Sequence, residues 1–294
     1  MKSLVIGMGI GQLYKTVLTE LGHEVVTVDM DPVKSADYSD YVAAFTDHSH
    51  FDTVHICTPN YTHVNLARHA GNHGAKLVFV EKPGVQTHYD WVSLIRDYPN
   101  TKFMMVKNNQ FRNEIAEFKG LASESDTVYI RWNNHNRIPS PGSWFTNKQL
   151  AFGGVSRDLI PHMLSYYCAL VDYTKGNKLY ATALQRWQLN EIDSTDYGVV
   201  NPNGVYDVDD FCEMEFQYGS TKYILSANWR SLGETDISIS FDTPAGTVRH
   251  ELGLCPESAY KKMIQEAVLN LNNIEYWKEQ QAQDIWIHKQ IEKL

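Results

Sequence analysis

An α/β chain is predicted, with a doubly wound parallel sheet first and a second α/β part on a mostly antiparallel open sheet. Two observations carry this. Up to about residue 107, short continuous apolar runs alternate with helical patterns; beyond it, strand-like runs follow one another at short intervals. Continuous apolar runs suit strands buried on both faces, and alternation with helices implies right-handed crossovers between parallel strands. Strands in quick succession suit antiparallel pairing instead.

Taken in order, the first strands are expected at 3–7 (SLVIG), 24–29 (EVVTVD), 53–58 (TVHICT), 76–81 (KLVFVE) and 102–106 (KFMMV). Helical patterns lie between them near 11–21, 61–73 and 87–97, with a shorter one near 35–44. In the second part strands are expected at 127–132, 178–187, 211–218, 222–229 and 236–242, and QYGSTK and TPAGTV fit hairpin turns. A helix is expected over 155–172, and a long polar-faced one near 257–293. The change of rhythm places a boundary near 107–120.

Composition narrows the function. The 294 residues are 43% hydrophobic and 21% charged, which fits a globular protein of one large or two ordinary domains. A net charge of −9 offers no basic field, so neither nucleic acid nor an anionic membrane is expected as a partner. No apolar run reaches the roughly 18 residues that span a bilayer. The start, MKSLVIGMGIGQ, has the charged opening and apolar core of a signal peptide, but its glycines suit a strand–turn–helix better. Cys57, Cys168, Cys212 and Cys255 are far apart and form no CxxC pair, so a reducing cytoplasm is expected.

Gly7, Gly9 and Gly11 follow the first strand directly and precede the first helix. Such a turn lets a backbone and a helix N-terminus approach a pyrophosphate. The common spacing is GxGxxG; here the third glycine comes one residue early and Gln12 stands in its place. The second strand ends at Asp29, about 20 residues on, where an acid accepts hydrogen bonds from an adenosine ribose. A carboxylate there repels a 2′-phosphate, so NAD is favoured over NADP. The plainer alternative is that Asp29 caps the following Asp31–Pro32 turn.

Ligands of open α/β sheets bind outside the carboxyl ends of the strands. Two strands end there on CTPNYTH (57–63) and VEKPGV (80–85), which places Thr58, Pro59, Asn60, His63, Glu81 and Lys82 beside the expected cofactor. Lys82 is either a surface-turn residue or one that projects into the crevice.

TPNYTH, EKPG and PGSWFTNKQLAFGGVSRDLIPHML, in this order and spacing, resemble the glucose–fructose oxidoreductase / inositol dehydrogenase / rhizopine catabolism (Gfo/Idh/MocA) family. The resemblance covers nearly the whole chain. It implies a Rossmann domain over 1–112 and a substrate-binding and oligomerisation domain over 113–294, with nicotinamide-dependent oxidation or reduction of sugars, cyclitols and related carbonyl compounds. It assigns catalysis to Lys82, Asp158 and His162. The last two are four residues apart, one face of a helix, where a carboxylate orients an imidazole and favours its protonated form. The family's Gly–x–Asn–x–Arg-like segment is altered here to VKNNQFRN: Lys107 replaces the glycine, Asn109 is expected to face the cofactor, and Arg112 is displaced by one residue.

For a polyhydroxylated small-molecule substrate, the polar run Asn133–Asn136 either lines a cleft, with Asn133 and His135 as contacts, or is a strand end entering a loop. Trp144 either stacks on a sugar face or anchors its loop. The acid-rich stretch 190–210 lacks calcium-loop spacing and is expected to be solvated; His69 and His73 have no third partner, so no metal is assigned. Two other functions share these features: a glycosidase using tightly held NAD, and a non-catalytic NAD-binding regulator. Apolar alternation in KYILSANW and DISISFD, with few helices to cover the sheet, predicts a homodimer or homotetramer; a single-chain mass in light scattering would contradict it.

Overall fold

The computed structural model describes residues 1–294. Two compact units are present, Met1–Val106 with Pro256–Glu292, and Lys107–Cys255 with Lys293–Leu294.

In the first unit the chain runs β1 (Lys2–Ile6), α1 (Gly11–Glu20), β2 (Glu24–Val28), α2 (Tyr41–Asp47), β3 (Thr53–Ile56), α3 (His63–Asn72), β4 (Leu77–Val80), α4 (His88–Asp97) and β5 (Lys102–Met105). The strands form a parallel sheet in the order β2-β1-β3-β4-β5. β3 and β4 are buried at every position, β4 with an unbroken apolar run and β3 with Thr53 and His55 bonded to one another inside it. Each fully buried Val, Leu or Phe contributes about 1.5–3 kcal/mol.

The second unit contains α5 (Ile115–Ser123), β6 (Thr127–Asn133), α6 (Lys148–Ala151), α7 (Val155–Asp158), α8 (Ile160–Leu170), β7 (Asn177–Leu184), β8 (Phe211–Tyr218), β9 (Thr221–Asn228), β10 (Asp236–Thr243) and β11 (Gly246–Glu251). Its sheet order is β11-β10-β6-β9-β8-β7; only β6 and β9 pair in parallel. Alternate positions point to opposite faces. Val128, Ile130, Trp132, Tyr223, Leu225 and Ala227 are buried, while Tyr129, Arg131, Ile224 and Ser226 between them are only half-buried. The apolar set of KYILSANW thus lies on the covered face, and the more open face is largely polar.

Helices α9 (Glu257–Leu269) and α10 (Ile274–Ile291) return to the first unit. The sequence division, which left them in the second domain, is corrected there. Asp284 shows why they return: its Oδ2 accepts the backbone N–H of Met105 in the edge strand β5, 3.1 Å away. The single helix expected over 257–293 is broken at Asn270–Asn273, where Asn273 caps α10 by accepting from the N–H of Tyr276. The helix expected over 155–172 is likewise two segments meeting at Leu159, because Pro161 has no N–H to offer the preceding turn. The short helix near 35–44 begins later, at Tyr41, after a 3₁₀ turn over Pro32–Lys34.

In the parallel sheet, His55 is fully buried, stacks on Phe79 at 4.7 Å and bonds Thr53 Oγ1 through Nε2 at 3.1 Å. Burial, then the His23 charge, pushes its pKa down from 6.5 to about 3. Between these values the unfolded chain binds a proton that the native core refuses, so stability falls as pH falls. The loss from this group is about 2 kcal/mol between pH 6.5 and 5. Urea midpoints at pH 7 and 5 should differ less in His55→Phe than in the parent; an equal difference would show that His55 is not the source.

Candidate active site

The first unit supplies a glycine turn. Gly7 has φ +91°, donates its N–H to Val28 O at 2.8 Å, and leaves no room for a side chain: a Cβ there would lie 2.7 Å from Cys57 O. Gly9 is exposed with open space around it, as a pyrophosphate needs. Gly11 begins α1, and a Cβ on it would sit 3.0 Å from Val5, so helix and strand are in close approach. The early third glycine therefore keeps the packing role within the shortened turn, while Gln12 points outward on α1.

Asp29 binds this turn to itself. Its Oδ2 accepts from the N–H of Met8 at 2.6 Å and its Oδ1 from that of Asp31 at 2.9 Å. The 3₁₀ turn over Pro32–Lys34 is capped by Asp31, whose Oδ1 accepts from the Val33 N–H at 3.0 Å, and not by Asp29; each Asp29 carboxylate oxygen has a second lone pair for a ribose hydroxyl. The glycines, the helix start and the acid fit an NAD adenosine and pyrophosphate.

Beyond β3, the Thr58 and Thr62 hydroxyls bond at 2.5 Å, and Thr62 Oγ1 also donates to Pro59 O at 2.7 Å. Thr58, Pro59 and Asn60 are half-buried. His63 is fully buried between two carbonyl oxygens, Nδ1 against Gly84 O at 2.7 Å and Nε2 against Thr58 O at 2.8 Å. Burial lowers its pKa, against the pull of those two carbonyls. The neutral ring has a single N–H, which on Nδ1 donates to Gly84 O, so the buried histidine ties the start of α3 to the EKPG turn. Glu81 is also buried, accepting from Tyr14 OH at 2.8 Å and from the Lys82 N–H at 3.1 Å. It anchors the turn internally. Lys82, next along, is half-buried, and its peptide bond to Pro83 is cis.

The second unit supplies the acid and histidine. Gly154 can carry no side chain, because its Cβ would coincide with Asp209 O. The Asp209 carboxylate accepts from the N–H groups of Gly154 and Ser156 and from Ser156 Oγ, at 2.7–2.9 Å, capping α7. Asp158 closes that helix and its Oδ2 accepts from Trp229 Nε1 at 2.9 Å. His162 follows on α8 and stacks on Trp132, ring centroids 5.4 Å apart and planes 26° from parallel. Both residues are half-buried. Although the helix is interrupted, Leu159 N–H still reaches Val155 O and Met163 N–H reaches Leu159 O, so the chain keeps turning between Asp158 and His162. Trp132 and Trp229, the supports of this pair, escaped the sequence reading; the signal for them is that neighbouring strands β6 and β9 both run into Trp at the same end.

Asn109 is fully buried. Its Oδ1 accepts from Arg112 Nε and Tyr166 OH, both at 3.2 Å, while its Nδ2 has no partner within the protein. A buried donor without an acceptor fits a ligand oxygen. The displaced arginine therefore still meets the asparagine.

The polar run at 133–136 is not one strand face. β6 ends at Asn133, and His135 is exposed in the following loop, with Nδ1 against Gly233 O at 2.9 Å. The cleft-lining strand is thereby corrected to a strand end entering a loop. Trp144 stacks on Phe145 at 3.9 Å. The acid-rich stretch is mostly exposed but anchored: Asp196, Asn201 and Asp207 donate their N–H groups to the carbonyls of Asn136, Pro141 and Thr146. No group of three His, Cys, Asp or Glu side chains is placed to hold a metal, and no helix is long and apolar enough to cross a membrane.

Comparison with known proteins bears on the fold. Solved structures of similar fold include GenD2 from gentamicin A biosynthesis in complex with NAD (TM-score 0.75, 17% identity, covering 98% of this chain and 92% of that one). Levoglucosan dehydrogenase in complex with NADH and levoglucosan gives 0.72 at 16% identity, covering 99% and 96%. A myo-inositol dehydrogenase from Corynebacterium glutamicum ATCC 13032 gives 0.72 at 13%, covering 99% and 94%. At such identities the likeness is one of fold, an N-terminal parallel sheet followed by a mixed, mostly antiparallel one. No curated protein sequence matches the chain. Residues 2–105 match the model of the GFO_IDH_MocA group, described as "Oxidoreductase family, NAD-binding Rossmann fold", so the first part of the chain is similar to an NAD-binding Rossmann domain of that family.

Proposed function

We propose that this chain transfers hydride between NAD and a sugar, a cyclitol or a related hydroxy or carbonyl compound. The observation that carries the reading is the EKPG turn. It is fixed through Glu81 and Gly84 at the carboxyl end of the parallel sheet, where a ligand crevice is expected, and its half-buried Lys82 is the group assigned to that crevice in this reading. When bound, NAD supplies the hydride acceptor. His162 takes the hydroxyl proton of the substrate, Lys82 donates a hydrogen bond to that oxygen as charge develops, and Asp158, steadied by Trp229, orients the histidine. Assembly as a homodimer or homotetramer is proposed as well, although the apolar positions that suggested it lie on the covered face of the second unit's sheet.

Incubation with NAD and a panel including myo-inositol, levoglucosan and common aldoses should raise NADH absorbance for at least one compound. No change with any of them, together with no NADH oxidation by the matching ketoses, would remove the reading. Release of reducing sugar with constant NADH would point to the glycosidase instead. Asp29 carries the cofactor preference: NAD should bind more tightly than NADP, and Asp29→Ala should narrow the gap. Equal binding by the unsubstituted protein would overturn that assignment.

A further inference from the structure

Asp284, His288 and Glu292 recur every fourth residue at the end of α10 and so lie on one stripe of the helix. Each accepts a backbone N–H from a different segment of the first unit. Asp284 Oδ2 takes that of Met105 and His288 Nε2 that of Val85, both at 3.1 Å, and Glu292 Oε1 takes that of His88 at the start of α4. Asp284 and His288 are fully buried. Two of these contacts have structural reasons: an edge strand needs its N–H groups paired, and a helix N-terminus favours a carboxylate.

The histidine contact reaches further. His288 Nδ1 donates to Asp284 O at 2.6 Å, so Nε2 carries the lone pair that Val85 N–H finds. Trp91 stacks on the ring at 5.2 Å and holds its plane. The ring presses so closely on the turn that a Cβ on Gly84, at φ +82°, would lie 2.5 Å from Nε2. From the other side, His63 holds the Gly84 carbonyl. Two imidazoles, one from α3 and one from the last helix, thus fasten the two sides of the Gly84–Val85 peptide that closes the EKPG turn, while Glu81 and Tyr14 fasten its beginning.

We infer that His288 is a positioning residue for Lys82, acting through the Val85 N–H and the space it denies at Gly84. The inference rests on the reading of Lys82 as catalytic. Positioning matters here because a displacement of about 1 Å at a reacting group can cost on the order of 10²-fold in rate.

The test compares three variants. In His288→Gln, Oε1 takes the place of Nε2 and still accepts from Val85; in His288→Asn the shorter side chain does not reach; His288→Leu fills the space with no acceptor. One readout needs no substrate: the acylation rate of the Lys82 amine by acetic anhydride, with Lys76 and Lys102 as internal standards. The Asn and Leu variants should change the Lys82 rate by more than about threefold with NAD affinity held within about threefold, and Gln should restore the parental rate. With any compound that the parent turns over, kcat should fall at least about tenfold in Asn and Leu while KM stays near the parent. Should Leu fail to fold, the Gln–Asn pair decides. Equal Lys82 reactivity in both, matching the parent, would overturn the inference, and so would a loss of NAD affinity parallel to the loss of rate. Lys82→Met separates the two ideas: if it keeps turnover, the catalytic reading fails, whereas a dead Lys82→Met beside fully active His288→Leu sinks only the positioning role.

Discussion

Lys82→Met is expected to keep the fold and the NAD affinity while lowering turnover about 10²–10³-fold, or roughly 3–4 kcal/mol of transition-state stabilisation. The side chain is half-buried just beyond the buried end of β4, and the surrounding turn is held by Glu81, His63 and His288. Methionine matches the apolar stem and removes only the charged donor. A solvated turn lysine would instead change stability by less than about 0.5 kcal/mol and leave turnover alone. Steady-state rates with a compound that reduces NAD distinguish these outcomes by orders of magnitude. Near-parental turnover would remove Lys82 from catalysis and most of the case for hydride transfer.

The parallel sheet was legible because each of its strands announces itself locally, and so were the glycine turn and the EKPG segment, which sit at predictable strand ends. What stayed hidden depends on partners distant in sequence. Val85 and His288 are 203 residues apart, and nothing in the periodicity near either one reports their meeting. The last helix shows the same limit differently. Gln280, Gln283, Asp284 and His288 read as a polar face, yet all four are buried. A polar residue bonded to a buried backbone group and one facing water look identical in sequence. The Asp158–His162 pair was named through the family resemblance, with its i, i+4 spacing in agreement, but its supports, Trp229 and Trp132, come from strands whose order in the sheet, β6 beside β9, no local pattern gives.

His162→Asn should slow turnover by about 10²–10⁴-fold, the usual contribution of a positioned general base. Its effect on the pH profile is the sharper outcome. A histidine that accepts the substrate proton must be neutral, so the parental rate in the oxidising direction falls as pH drops through the base's pKa. Asparagine has no such protonation, so the residual rate of the variant should lose that acid limb. Asparagine also keeps a planar polar group against Trp132, which limits the packing cost. Asp158→Asn offers the complementary case: its amide can still accept from Trp229 Nε1 but carries no charge to favour the imidazolium, so the acid limb should persist and move to lower pH. If His162→Asn retains the same limb at the same pH as the parent, the titrating base lies elsewhere and His162 serves only to pack against Trp132.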